Sequence, residues 1–258
     1  MKDKRRFLLA LLSLCIVVGV IFLISIRKPK IEVVKPPKVF IGKIAIVLDD
    51  WGYSLNNTGI IEGIKYPLAV AVLPNLSYSK KISKDLSRRG FEVILHLPME
   101  PKEKYALEKD TIKTSMDEGE IKKILAKDLD SLSNVKGVSN HMGSKATADI
   151  KTLGIVFKEL KSRKLFFLDS YVTAQSKCAE LALRYGLRYV KRDIFLDNNN
   201  DPKYIRKQLY KLKEKAKLNG YAVGIGHDRR NTLYVLKEVM PELEKEGYMF
   251  VFISELAR

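Results

Sequence analysis

From Lys43 onward, short apolar runs alternate with longer amphipathic stretches. The runs are KIAIVL (43–48), LAVAVL (68–73), EVILHL (92–97), GVSNHM (137–142), KLFFLD (164–169), RYVKR (188–192), AVGIGH (222–227) and MFVFIS (249–254). Their length and content predict buried β-strands. Between them the pattern predicts helices near 77–89, 117–133, 148–163, 176–186, 202–218 and 231–247. Ser77 with Ser79, Asp117, Asp149 and the pair Asp201-Pro202 supply start signals. Gly90, Gly186, Gly220 and Gly247 stand where helices stop. Apolar strands joined by helical crossovers pair in parallel. Seven or eight such units suit a (β/α) barrel, closed or slightly open, better than a flat doubly wound sheet. No G-x-G-x-x-G or P-loop follows a strand, and there is no repeat of solenoid period.

Residues 7–26 break this rhythm with an uncharged apolar stretch, FLLALLSLCIVVGVIFLISI, between MKDKRR and RKPK. A helix of this length spans the ~30 Å core of a bilayer. Its exit has no small-x-small cleavage site, so the pattern predicts an uncleaved anchor rather than a removed signal peptide. Residues 27–42, with three prolines, read as a semi-extended tether. The expected organisation is an anchor over 1–26, a linker over 27–42 and one α/β domain over 43–258. The expected location is the cytoplasmic (inner) membrane, single-pass, with the domain on the extracytoplasmic side.

Composition adds little until charge is considered. The net charge is +17, from 47 basic and 30 acidic residues. Lys and Arg are interleaved with Glu and Asp along the helices, as in KQLYKLKEKAK, so they read as solvated faces and not as a nucleic-acid surface. An anionic membrane or cell-wall polymer is the better partner for the charge. The two cysteines, Cys15 in the apolar stretch and Cys178 in a helix, form no disulfide framework. Leu14 before Cys15 argues against lipid attachment. Oligomeric state is not legible.

Candidate chemistry gathers at strand ends. The chain has only three histidines, and each closes an apolar run: His96, His141 and His227. A fourth run ends in Asp49-Asp50. The carboxyl ends of parallel strands share one face, where ligands bind. An isolated Asp-Asp before Trp51-Gly52 would read as a turn. Beside three strand-end histidines it reads as a metal ligand and a base. Glu100, four residues after His96, is a further possible ligand. Arg192 and the segment Asp169-Ser170 end two more strands; an Arg–carboxylate pair there would tune a base or form a structural salt bridge. We assign Arg192 to the catalytic set, and Asn140, Asp169 and Ser170 to substrate contact.

Seven segments carry a resemblance: AIVLDDWG, LAVAVLPN, GFEVILHLPMEP, GVSNHMGSKATAD, LFFLDSYVT, RDIFLDN and AVGIGHDRRNTL. In this order they resemble the divergent polysaccharide deacetylases, a branch of the NodB-like carbohydrate esterases, from about 43 to 256. The resemblance implies an α/β fold, a NodB-like (β/α)7-type barrel, here behind an N-terminal transmembrane helix. It implies Asp49 as catalytic base, Asp50 as ligand of a divalent metal, usually zinc, and His227 as general acid. His96 follows Gly90 by six residues, as the first metal histidine does in the family. The family's second histidine would fall at Glu100, and His141, from the next strand, is the replacement ligand. The implied activity is metal-dependent removal of N- or O-acetyl groups from a cell-envelope polysaccharide. A non-catalytic carbohydrate-binding or envelope-organising protein on the same scaffold is the alternative.

Overall fold

The computed structural model describes residues 2–26 and 40–258. The chain divides into two compact units, Met1–Lys38 and Val39–Arg258. In the first, Lys2–Ile26 forms one helix, α1. It contains the apolar stretch, but the burial of Lys2, Gly19 and residues 21–26 lies outside what the structure describes. Among those described, no helix is long and apolar enough to cross a membrane. The tether expected over 27–42 also lies outside them up to residue 39.

The second unit runs β1 (Gly42–Trp51), α2 (Thr58–Ile61), β2 (Ala69–Val72), α3 (Ser79–Arg88), β3 (Glu92–Met99), α4 (Glu118–Asp130), β4 (Val135–Met142) and α5 (Ile150–Ser162). It continues β5 (Phe166–Asp169), α6 (Cys178–Tyr185), β6 (Tyr189–Lys191), β7 (Ile194–Phe195), α7 (Pro202–Asn219), β8 (Tyr221–His227), α8 (Arg230–Glu246) and β9 (Tyr248–Phe250). Every pairing is parallel, in the order β6-β5-β4-β3-β2-β1-β8-β7, with β9 against the start of β1. The barrel is therefore open between β6 and β7. Its last residue closes onto β6, where Tyr189 N donates to Arg258 O (2.7 Å) and Arg258 N to Tyr189 O (3.1 Å).

Local signals explain most of the elements. Asp117 caps α4 in a reciprocal capping box, accepting from Glu120 N while the Glu120 carboxylate accepts from Asp117 N. Asp149 caps α5 through Thr152 N, and Asp201 caps α7 with Pro202 following. The expectation at Ser77 and Ser79 fails. Tyr78 takes the cap position of α3, and Ser79 is buried, donating to Leu73 O. The two short elements α2 and β7 were missed because neither is long enough to show a period.

The period of two within the strands positions the chemistry. On β1, Ile44, Ile46 and Leu48 face the helices, while Ala45 and Val47 face the barrel interior. Asp49 continues that inner row. On β3 the inner row is Ile94 then His96, and on β8 it is Val223, Ile225 then His227. Alternation alone thus delivers three functional side chains to the top of one interior.

Several buried carboxylates stand outside this row, and one of them, Asp128, leaves an oxygen unpartnered among the described residues. Asp128 lies in the last turn of α4, fully buried, with Oδ1 accepting from Asn75 Nδ2 (2.7 Å) and Oδ2 without a partner among the described residues. Burial pushes its pKa up to about 7, with the Asn75 bond opposing. The folded state therefore favours protonated Asp128. That stabilisation is complete below the unfolded value near 3.8 and is lost as pH rises through about 7. Asp128→Asn is expected to stabilise the protein by about 2 kcal/mol at pH 8, with the gain vanishing toward pH 4, in thermal melts at both pH values.

Candidate metal centre and its proton-transfer groups

Asp49 and Asp50 are strand residues, not a turn after the strand, because β1 runs on to Trp51. Strict alternation would send Asp50 toward the helices. Its backbone instead adopts a left-handed conformation (φ 65°), at a break in the β1–β2 register between Leu48 and Trp51. Aspartate tolerates that conformation better than most residues. The kink brings both carboxylates to the same side.

His96 also lies inside its strand, paired in register with Ser139 of β4. Its Nδ1 is 2.8 Å from Ser139 Oγ, which leaves Nε2 to face the carboxylates. That nitrogen is 3.3 Å from Asp50 Oδ1 and 3.6 Å from Asp49 Oδ2. His141 stands two residues beyond Ser139, on the same face, with Nδ1 3.1 Å from Asp50 Oδ1. The two imidazoles meet edge to face, 4.9 Å between centroids.

One ligand atom from each of Asp50, His96 and His141 lies within 4.8 Å of the others, so the three could hold a metal ion. A second observation fits. Asp50 Oδ1 is buried and, despite two imidazole nitrogens within 3.3 Å, has no hydrogen-bond partner among the described residues. Both imidazole nitrogens are instead gathered around this one oxygen. One carboxylate and two imidazoles form the kind of set that leaves a metal open positions for water and substrate. Burial raises the Asp50 carboxyl, but His141 and His96 outweigh it and hold it well below the usual range.

Asp49 is almost fully buried, with Oδ1 unpartnered among the described residues. Burial pushes its carboxyl up against the pull of His96. In register opposite it on β8 is His227. His227 Nδ1 lies 2.6 Å from Asp197 Oδ1, and its backbone N donates to Asp197 Oδ2 (2.8 Å). Thr232 Oγ1 donates to the same Oδ2 (2.6 Å), and Arg229 to Asp197 O (2.6 Å). Gly226 makes room, since a Cβ there would sit 2.9 Å from Thr232 Cγ2 and 3.5 Å from Asp197 Oδ2. Burial alone would lower the His227 pKa, but the Asp197 bond and charge outweigh it and raise it.

Glu100, the possible extra ligand, is engaged elsewhere. Its Oε2 accepts from Thr114 N (2.7 Å) and Oγ1 (2.8 Å), and its Oε1 pairs with Lys145 Nζ (2.8 Å). It clamps two loops and stands outside the donor cluster. Arg192 does not form the expected carboxylate pair among the described residues. Its guanidinium donates to Ser170 O (2.7 Å) and Tyr171 O (2.8 Å) and lies 3.6 Å from the Phe195 ring, which stacks on His227.

Asn140, Asp169 and Ser170, expected at the substrate, are all buried and bonded internally. Asn140 accepts from Ser170 N (2.9 Å) and donates to Met142 O (2.7 Å). Ser170 Oγ donates to Asn140 O (3.0 Å). Asp169 accepts from Tyr171 N (2.7 Å), Ser176 Oγ (2.7 Å) and Tyr189 OH (3.3 Å). Sequence reasoning missed Ser139, Asp197 and Thr232. Ser139 was legible, two residues before His141 on the same strand face.

The profile of the divergent polysaccharide deacetylases matches residues 46–257. The chain belongs to this family. Among curated relatives, it is 33% identical over 205 residues to YibQ of Escherichia coli K12, an uncharacterized protein, covering 80% of this chain and 64% of YibQ. It thus spans less than two thirds of that relative's length. An uncharacterized protein of Haemophilus influenzae is 30% identical over 204 residues, covering 79% of this chain and 73% of its own. Two solved structures share the fold of this chain. One is an uncharacterized protein from Agrobacterium tumefaciens (TM-score 0.81, 22% identity, 86% of this chain and 91% of that one). The other is a family 4 carbohydrate esterase from Streptomyces lividans in complex with acetate (TM-score 0.54, 13% identity, 85% and 97%).

Proposed function

We propose that the protein is a metal-dependent deacetylase that removes acetyl groups from a cell-envelope polysaccharide. The observation that carries this is the convergence of Asp50, His96 and His141 beside Asp49, with His227 of the adjoining strand paired to Asp197. A divalent metal held by the three ligands, zinc being the candidate, would supply Lewis acidity toward the acetyl carbonyl and acidify a water. Asp49 accepts the proton of that water at its unpartnered Oδ1. Asp197 holds His227 Nδ1, so Nε2 is the nitrogen left to protonate the departing amine or alcohol. The Asp197 carboxylate raises the His227 pKa, which favours the protonated imidazole that a general acid requires. Arg192 acts at one remove, fixing the β5 exit and one face of the ring that stacks on His227.

The uncharged stretch over 7–26 supports an anchor in the cytoplasmic membrane, with the domain on its outer side. The charge of +17 favours an anionic glycan. The test is acetate release from N-acetylglucosamine oligomers by the full-length, metal-loaded protein across pH. Release is expected, with an alkaline limb set by His227. Asp197→Asn removes the carboxylate that raises the His227 pKa and is expected to move that limb to lower pH. Tight metal binding without acetate release from any acetylated glycan would instead favour a non-catalytic binding role.

A further inference from the structure

Among the described residues, seven other than glycine have positive φ. Four are Asp or Asn (Asp50, Asn75, Asp110, Asn134), which tolerate the left-handed region, and Lys164 follows the end of α5. That leaves two bulky residues without such an excuse, Met142 (φ 53°) and Tyr171 (φ 48°). Both lie at strand exits on the face that carries the metal ligands. The β4–β5 register pairs Ser139 with Leu168, and extending it sets Tyr171 level with Met142, one residue beyond His141. Neighbouring strands lie ~4.8 Å apart.

Tyr171 is held in this conformation from several sides. Its N–H donates to Asp169 Oδ1 (2.7 Å), and its carbonyl accepts from Arg192 Nη2 (2.8 Å). The preceding residue, Ser170, is pinned by Asn140 at both its N–H and its hydroxyl. Four buried or half-buried polar residues thus serve to present one tyrosine. Strained conformations that are over-determined in this way cluster at ligand-binding sites. The ring is half-exposed, with Lys191 Nζ 4.4 Å from its centroid. An aromatic ring offers a flat apolar surface for the C–H face of a pyranose, and the ammonium offers donors for a hydroxyl or carboxylate beside it.

We propose that Tyr171 is a glycan-contacting residue at the rim of the site, a role that rests on the deacetylase reading above. Its strain serves binding rather than stability, which separates it from a packing residue. The test uses full-length protein silenced by Asp49→Asn and the β-1,4-linked pentamer of N-acetylglucosamine, with affinity measured by calorimetry. Tyr171→Gly and Tyr171→Asn suit the left-handed backbone but lack the ring. Each is expected to bind the pentamer about tenfold more weakly, with Tm unchanged or higher, while Tyr171→Phe keeps the affinity. Unchanged affinity in the Gly and Asn variants overturns the assignment, as does a Tm drop of about 5 °C or more in both, which marks a packing role. Failure of the Tyr171-bearing protein itself to bind contradicts the glycan reading and takes this assignment with it.

Discussion

His141→Ala is expected to abolish stoichiometric metal binding while the fold persists. His141 supplies one of three donors, and its ring is part-exposed at the top of β4 rather than packed in the core. Loss of a partner that merely orients a ligand typically weakens metal affinity 10–100-fold, so loss of a ligand should exceed about 100-fold. Competition against a chelator measures this directly, with circular dichroism melts as the folding control. Glu100→Gln is the informative contrast. It removes the residue that stands at the family's usual second-histidine position but leaves all three donors in place. Its metal affinity should match wild type, because Glu100 is committed to Thr114 and Lys145.

Asp49→Asn is expected to produce the opposite pattern, with metal retained and turnover lost. Asparagine preserves the shape of a buried side chain that is not one of the donors but cannot accept the proton of water. A positioned general base contributes about 10²–10⁴-fold, so kcat should fall by that factor with KM little changed. Parallel loss of metal would make Asp49 a ligand instead. Retained turnover would assign the base elsewhere.

Much of this site is written in the chain as position parity. The strand runs and the three histidines at their ends identified the interior row of Asp49, His96, His141 and His227. The same parity bears on two of the residues expected at the substrate. Asn140 lies between Ser139 and His141, and Asp169 follows the inner residue Leu168, so both point to the helix side of the sheet. Other features had no local signal. Nothing in a hydrophobic pattern marks the left-handed turn at Asp50 that brings it beside Asp49. Asp197 follows a strand of two residues, and only tertiary pairing sets it under His227.

Glu100 illustrates why spacing misleads when the local structure differs. Because β3 stays extended to Met99, four residues past His96 means ~13 Å along the strand. Glu100 is carried away from the His96 ring and bonds Thr114 and Lys145 instead. The neighbouring strand reaches the same point more directly, because His96 pairs with Ser139 and His141 is two residues further on. A histidine from the next strand thus stands beside His96, while the extended backbone carries the fourth residue onward away from it.

X-ray absorption at the zinc edge of the full-length protein, loaded with one equivalent of zinc, tests that exchange most directly. Two imidazole ligands with oxygen donors completing the shell are predicted, from His96, His141 and Asp50. A single imidazole in the wild-type spectrum, or no zinc uptake at all, would contradict the site as built here.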